Sequence, residues 1–122
     1  MSTQRLTTAE LHWAAGFLDG EGAFGWRIDK RGVGHLSISA KQKYSPSLEK
    51  LQRLFGGGIS GYTRRTQLSI YSWAVASARA AAIMMTLYGL LSPYRQGQIQ
   101  DALAQWRQDK PRFIKRSNWG KH

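Results

Sequence analysis

The sequence predicts an α+β domain, a four-stranded antiparallel sheet with helices packed on its oily face, in the order α-β-β-α-β-β-α-α. Three observations carry this reading. Two segments alternate apolar and polar residues on either side of a turn, which is the pattern of hairpins with one buried face. Around them, apolar residues recur at helical spacing behind capping residues. Finally, 42% of the 122 residues are hydrophobic, five Trp among them, enough to bury one core.

The elements follow in order. Thr7-Thr8-Ala9-Glu10 is a capping box, with Leu6 and Leu11 placed for a hydrophobic staple, so the first helix begins near Thr8. It runs through Trp13, Phe17 and Leu18 and ends at Gly20 and Gly22. Residues 23–30 set Phe24, Trp26 and Ile28 against Gly25, Arg27 and Asp29. After the turn Arg31-Gly32-Val33-Gly34, Leu36, Ile38 and Ala40 alternate with Ser37, Ser39 and Lys41. Ser45-Pro46 is an N-cap with proline at the first helical position, followed by the stripe Leu48, Leu51, Leu54 and Phe55 and the stop Gly56-Gly57-Gly58. A second hairpin spans residues 59–64 and 67–75 around Arg65-Thr66. Tyr71, Trp73 and Val75 are in phase on its second strand; around Gly61 the phase of its first strand stays open. Trp26 and Trp73 share phase with apolar neighbours and read as core. Ser77 caps a third helix reaching about Tyr88, and Ser92-Pro93 opens a fourth carrying Ile99, Leu103 and Trp106 that ends before Pro111. Residues 1–109 thus form one domain, and 110–122 a basic, aromatic tail, laid over a partner or flexible.

Charge narrows the partners. With 18 Lys and Arg against 7 Asp and Glu, the chain carries +11, yet only 20% of residues are charged. The imbalance comes from scarce acids, which fits a folded domain with a positive surface rather than a disordered basic tail. Nucleic acid is the leading partner and an anionic membrane surface a distant second. The absence of Cys removes disulfides, Cys-based zinc sites and thiol nucleophiles, and leaves the compartment open. No secretory pattern precedes the first helix. The most apolar stretch, 74–91, holds Arg79 and Gly89 behind the Ser77 cap, so it reads as a buried helix and not a membrane span.

Chemistry concentrates at the end of the first helix. In a chain with few acids, Asp19 and Glu21 sit together at a helix C-terminus, where the dipole is already negative and unpaired carbonyls add oxygen. A cation would relieve that cluster, and hard oxygen ligands suit Mg²⁺. Gly16 and Gly20 lie on one helix face, where small residues let a second helix approach closely.

Residues 14–22, Ala14-Ala15-Gly16-Phe17-Leu18-Asp19-Gly20-Glu21-Gly22, resemble the motif of the LAGLIDADG homing endonucleases. Gly16 matches its first glycine, Asp19 its first aspartate, Glu21 its second acid and Gly22 its final glycine. Phe55-Gly56-Gly57-Gly58-Ile59, Tyr71-Ser72-Trp73-Ala74-Val75 and the segment from Leu91-Ser92-Pro93-Tyr94 to Gln98 resemble further parts of that family.

The resemblance implies that the motif helices of two chains pack together through Trp13, Gly16, Phe17, Asp19 and Gly20, and that the sheets form a saddle in the DNA major groove. A single motif implies a homodimer on a palindromic or pseudo-palindromic site, cut on both strands with short 3′ overhangs. By similarity, Glu21 and the Gly20 carbonyl bind Mg²⁺ or Mn²⁺, while Ca²⁺ binds without supporting cleavage; no small-molecule cofactor is implied. Gln42 would position water near the metal, and Arg95 fills the place of the family's usual active-site lysine. Since guanidinium stays protonated, Arg95 can stabilise charge but not shuttle a proton. Ala14 replaces Leu, and Glu21 replaces Asp. Groove-facing candidates are Arg27, Asp29, Ser37, Ser39, Lys41 and Lys43, then Tyr62, Arg64, Arg65, Gln67 and Ser72. Localisation would follow the intron-bearing DNA, in an organelle or in a bacterial or phage-infected cytoplasm. The alternatives are a cleavage-inactive DNA- or RNA-binding member of the fold, such as a splicing maturase or regulator, and a basic ribosome- or membrane-associated module.

Overall fold

The structure, a computed structural model, describes residues 5–63 and 69–119. The Thr7 hydroxyl accepts from the Glu10 amide at 3.0 Å and the Glu10 carboxylate accepts from the Thr7 amide at 2.8 Å, so the expected capping box starts α1 (Thr8–Glu21). At the other end a Cβ on Gly22 would stand 2.8 Å from the Leu18 carbonyl oxygen. Only glycine lets the chain pass there from helix directly into strand. That strand, β1 (Gly22–Ile28), is followed by β2 (Gly34–Gln42), α2 (Pro46–Phe55), β3 (Gly58–Thr63) and β4 (Ser69–Ala76). The chain continues through α3 (Ser77–Leu87), a 3₁₀ turn at Tyr88–Leu90, and α4 (Pro93–Trp119).

The strands pair antiparallel in the order β1-β2-β4-β3, the predicted fold class. One face carries Phe24, Leu36, Ile38, Ala40, Trp73 and Val75 into the core, where Leu18, Leu48, Leu51, Met84, Leu87 and Ile99 of the helices meet them. Trp73 is wholly buried and its indole N–H donates to the Gly56 carbonyl at 2.8 Å, so the one polar atom of the largest core residue is satisfied. Trp26 packs half-buried against the same core. The register also settles the phase left open at Gly61. Ile59 and Gly61 stand opposite Trp73 and Tyr71 on the core side, and Ser60 stands opposite Ser72 on the other.

Ser45 is the N-cap of α2 with Pro46 in its first turn, as expected, although its hydroxyl donates to the Glu49 carboxylate at 2.9 Å rather than accepting from a helix-end amide. Two local expectations fail for physical reasons. Ser77 does not cap α3: it is the first helical residue, held at φ +58°, with its hydroxyl 3.0 Å from His35 Nδ1. The fourth helix does not stop before Pro111 but continues to Trp119. A proline inside a helix deletes one backbone bond, to the carbonyl four residues earlier, and α4 bridges that gap. Among the described residues no helix is long and apolar enough to cross a membrane.

Candidate active site at the foot of the first helix

The C-terminal end of α1 gathers groups from three elements. Gln42 continues the phase of Leu36, Ile38 and Ala40 along β2, so it leaves the sheet on the helix side. There its Nε2 donates to Glu21 Oε1 at 3.0 Å. Two residues singled out separately in the sequence thus touch. Glu21 is exposed, so this bond orients the carboxylate without covering it.

Asp19 behaves differently. Its Oδ1 accepts from the Ser92 amide at 2.8 Å, tying the foot of α1 to the start of α4. That backbone bond, with the Ser92 hydroxyl and the nearby Arg95 charge, holds the Asp19 carboxyl below the usual carboxylate range. Arg95 Nε donates to the Asp19 carbonyl at 2.8 Å, and Arg95 Nη1 to Gln98 Oε1 at 3.0 Å. Because α1 has no basic residue in its last turn, Arg95 supplies from α4 the positive charge that a helix C-terminus favours. Gln98 Oε1 also accepts from the Phe24 amide at 3.4 Å. Phe24 N–H would be the i+4 donor to Gly20 were the helix to continue, so the Gly20 carbonyl loses that partner.

The acidic cluster of the sequence therefore divides. Asp19 is balanced within the chain by Ser92 and Arg95, and Glu21 is left facing outwards. Asp19, expected at a helix–helix interface, is engaged inside its own chain. Arg95 reaches the foot of the helix through the Asp19 backbone. Among the described residues no group of three or more His, Asp or Glu is placed to hold a metal ion. One chain brings a hard carboxylate oxygen and a neighbouring carbonyl, suitable donors for Mg²⁺ but too few for a complete shell.

Beside this foot, the expected interface face is open. A Cβ added at Gly16 or Gly20 would meet no atom within 4 Å. Trp13 and Phe17 stack on each other, ring centroids 5.4 Å apart, with Lys50 Nζ 4.3 Å from the Trp13 ring.

On the polar side of the sheet, Arg27 pairs with His35, Ser37 with Gly25 and Ala76, Ser39 with Ala23 and Ala74, and Lys41 with Ser72. These candidates share one face, and Lys43 lies exposed just beyond β2. Tyr62 pairs with Ile70 in the β3–β4 register. Arg64, Arg65 and Gln67 lie outside the described residues. Asp29 sits in the turn after β1 with both oxygens engaged: Oδ1 accepts from the Arg31 and Val33 amides at 2.8 and 3.0 Å, and Oδ2 from Arg31 Nη2 at 3.2 Å and His35 Nε2 at 2.9 Å. The His35 bond, then the Val33 amide, holds this carboxyl far below its usual range. It braces the hairpin. Ser92, Gln98 and His35 escaped the sequence reading as site residues, since their partners lie 73, 74 and 42 residues away for the Asp19, Phe24 and Ser77 contacts.

The family model described as LAGLIDADG endonuclease matches residues 14–96. A comparison with curated proteins finds no match. Among solved structures, the group I intron-encoded homing endonuclease I-CeuI, complexed with DNA, superposes with a TM-score of 0.64 at 14% identity, over 93% of this chain and 63% of that one. The homing endonuclease I-CvuI, in complex with its target in the presence of Ca, gives 0.60 at 19% identity, over 75% of this chain and 62% of that one. I-SmaMI, a LAGLIDADG homing endonuclease bound to cleaved DNA, gives 0.52 at 22% identity, over 74% of this chain and 32% of that one. The matched region therefore corresponds to 62–63% of the length of the first two and 32% of the third. These likenesses agree on the fold, and the family match spans the Gly16–Gly22 motif, both hairpins and Arg95. The chain belongs to the LAGLIDADG endonuclease family.

Proposed function

We propose that the chain is one half of a metal-dependent, site-specific homing endonuclease. As a homodimer it lays two saddles along a palindromic or pseudo-palindromic duplex and hydrolyses one phosphodiester per strand, leaving short 3′ overhangs. The nine residues of β2, the longest strand, span about 30 Å, comparable to about nine base pairs, so the dimer covers about eighteen. Glu21 carries this reading: an exposed carboxylate, steered by Gln42 at 3.0 Å, at the foot of a helix whose Gly16 and Gly20 face is open.

The residues divide the work. Glu21 offers the anionic oxygen and the Gly20 carbonyl a second one. Gln42 fixes the Glu21 carboxylate in one orientation, and Asp19, Ser92 and Arg95 fix the helix end on which it stands. A second copy crossing at Gly16 and Gly20 brings a second Glu21 alongside and completes what one chain lacks. A bound Mg²⁺ or Mn²⁺ would activate water and stabilise the leaving oxygen, and Ca²⁺ would bind without supporting cleavage. The +11 of each chain draws the duplex onto the polar face of the sheet, and binding weakens steeply with salt. Three homing endonucleases of similar fold, one captured with its target and two with DNA, support the substrate class.

The test is to incubate the protein and its Glu21→Gln variant with a randomised duplex library and Mg²⁺, then sequence the cut ends. The expected outcome is double-strand cutting at a palindromic consensus by the parent, and loss of cutting with retained binding in the variant. Undiminished cutting by Glu21→Gln rejects the site. Binding without cutting by both proteins selects the cleavage-inactive reading.

A further inference from the structure

Among the described residues, the polar face of the sheet is uneven along β1 and β2. At the end near Glu21 stands Lys41. The two rows beyond it are Ala23–Ser39–Ala74 and Gly25–Ser37–Ala76, with no side chain longer than serine. Past them, at the outer end, exposed Arg27 stands opposite His35, and a cavity of about 390 Å³ opens there, lined by Arg27, Ile28, Asp29, His35, Ser37 and strand residues 74–76.

His35 is fixed at that end. An ionised Asp29 can only accept, so His35 Nε2 carries the proton that closes their 2.9 Å bond. In the neutral ring, Nδ1 then accepts from the Ser77 hydroxyl at 3.0 Å. Both ring nitrogens are engaged, and the imidazole serves as a wall beside Arg27. Alanine and glycine offer a base edge no hydrogen bond and serine a single one, whereas a guanidinium fork can hold guanine O6 and N7 together.

We infer that the β1–β2 side of the saddle reads each half of the target at this outer notch, with Arg27 the specificity-determining residue for a guanine and Asp29 and His35 its positioning residues. The inference rests on the proposed DNA-binding role of the saddle. From Glu21 to Arg27 the strand advances about 20 Å, so the guanine falls roughly six base pairs outward from the cut. Base pairs over the floor contribute little direct readout.

The test is a binding selection from randomised duplexes without divalent metal, run on the full chain, on Arg27→Lys and on His35→Ala, with thermal melting to confirm folding. The parent should return a consensus with a guanine at the outer position and little preference over the floor. Arg27→Lys keeps the charge and loses the fork, so preference for guanine at that position should fall about ten- to a hundredfold. Preferences over the floor should stay as they were. His35→Ala should blur the same outer position, whereas a merely structural defect would lower affinity for all sequences alike. A consensus concentrated over the floor, or base preferences unchanged in Arg27→Lys, overturns the inference and leaves the DNA-binding role standing. Failure of the parent to retain any duplex overturns both.

Discussion

The inner and outer ends of the sheet use the same arrangement with opposite charge. At the inner end, Asp19 is bound up within the chain by Ser92 and Arg95, and Glu21, two residues on, faces outwards. At the outer end, Asp29 is bound up by the Arg31 and Val33 amides and His35, and Arg27, two residues back, faces outwards. In each pair one charged residue stiffens the chain and its neighbour is presented by that stiffness. The difference lies in sign. An anion at the inner end suits a cation beside a scissile phosphate, and a cation at the outer end suits phosphate or guanine. A count of charges along the sequence treats Asp19, Glu21 and Asp29 as equivalent; their partners separate the exposed Glu21 from the two braced acids.

The strongest way to break this comparison removes the second copy from the inner end. Gly16→Leu adds a side chain at an exposed position where a Cβ would meet nothing within 4 Å in one chain, so the monomer should keep its fold. It should even gain up to about 1 kcal/mol of helix stability, because an interior glycine costs about that much. The same side chain blocks close approach of a partner helix. Light scattering should then report 13.8 kDa where the parent reports twice that mass, and cutting should vanish with the dimer. A parent that is monomeric at micromolar concentration would refute the paired-helix reading outright. A smaller effect probes orientation alone. Gln42→Ala leaves Glu21 in place but unsteered, and loss of such an outer partner typically lowers activity about 10–100-fold. The matching deficit in cutting, with duplex binding intact, distinguishes a positioning role from a groove contact.

The fold was legible because its signals are local. The capping box at Thr7, the alternation through Trp26 and Ile38, and the glycine stop at Gly56 each state an element within a few residues, and each is where expected. Misreadings arose where a side chain had a distant option. Ser77 looks like a cap until His35, 42 residues earlier, takes its hydroxyl, and the helix then starts at an unusual positive φ. The amide that Ser92 supplies to Asp19 from 73 residues away is equally invisible in the local sequence. Pro111 looks like a stop because the lost hydrogen bond is visible locally, whereas the turns on either side that carry α4 past it are not. The Glu21–Gln42 contact was half legible. Both residues stood out, but only the phase of β2 shows that Gln42 leaves the sheet on the helix side.

The smallest expected effect separates the two braced acids from each other. Both Asp19 and Asp29 titrate below their ordinary value of 3.8 in the fold, the latter by the larger margin. A depressed carboxyl stabilises the fold fully above its unfolded pKa and loses that contribution as pH falls through the folded one. Melting temperature should therefore be flat with respect to these groups near pH 7 and decline once pH drops below about 4. Asp29→Asn should remove more of that acid-side decline than Asp19→Asn, because the bonds from His35 and the turn amides hold its proton off to lower pH. At neutral pH each variant should melt only a few degrees, roughly 5 °C, below the parent, as for loss of a capping carboxylate. Equal acid-side slopes in the two variants would mean that the inner and outer braces carry the same load, and that the hairpin end is no stiffer than the helix foot.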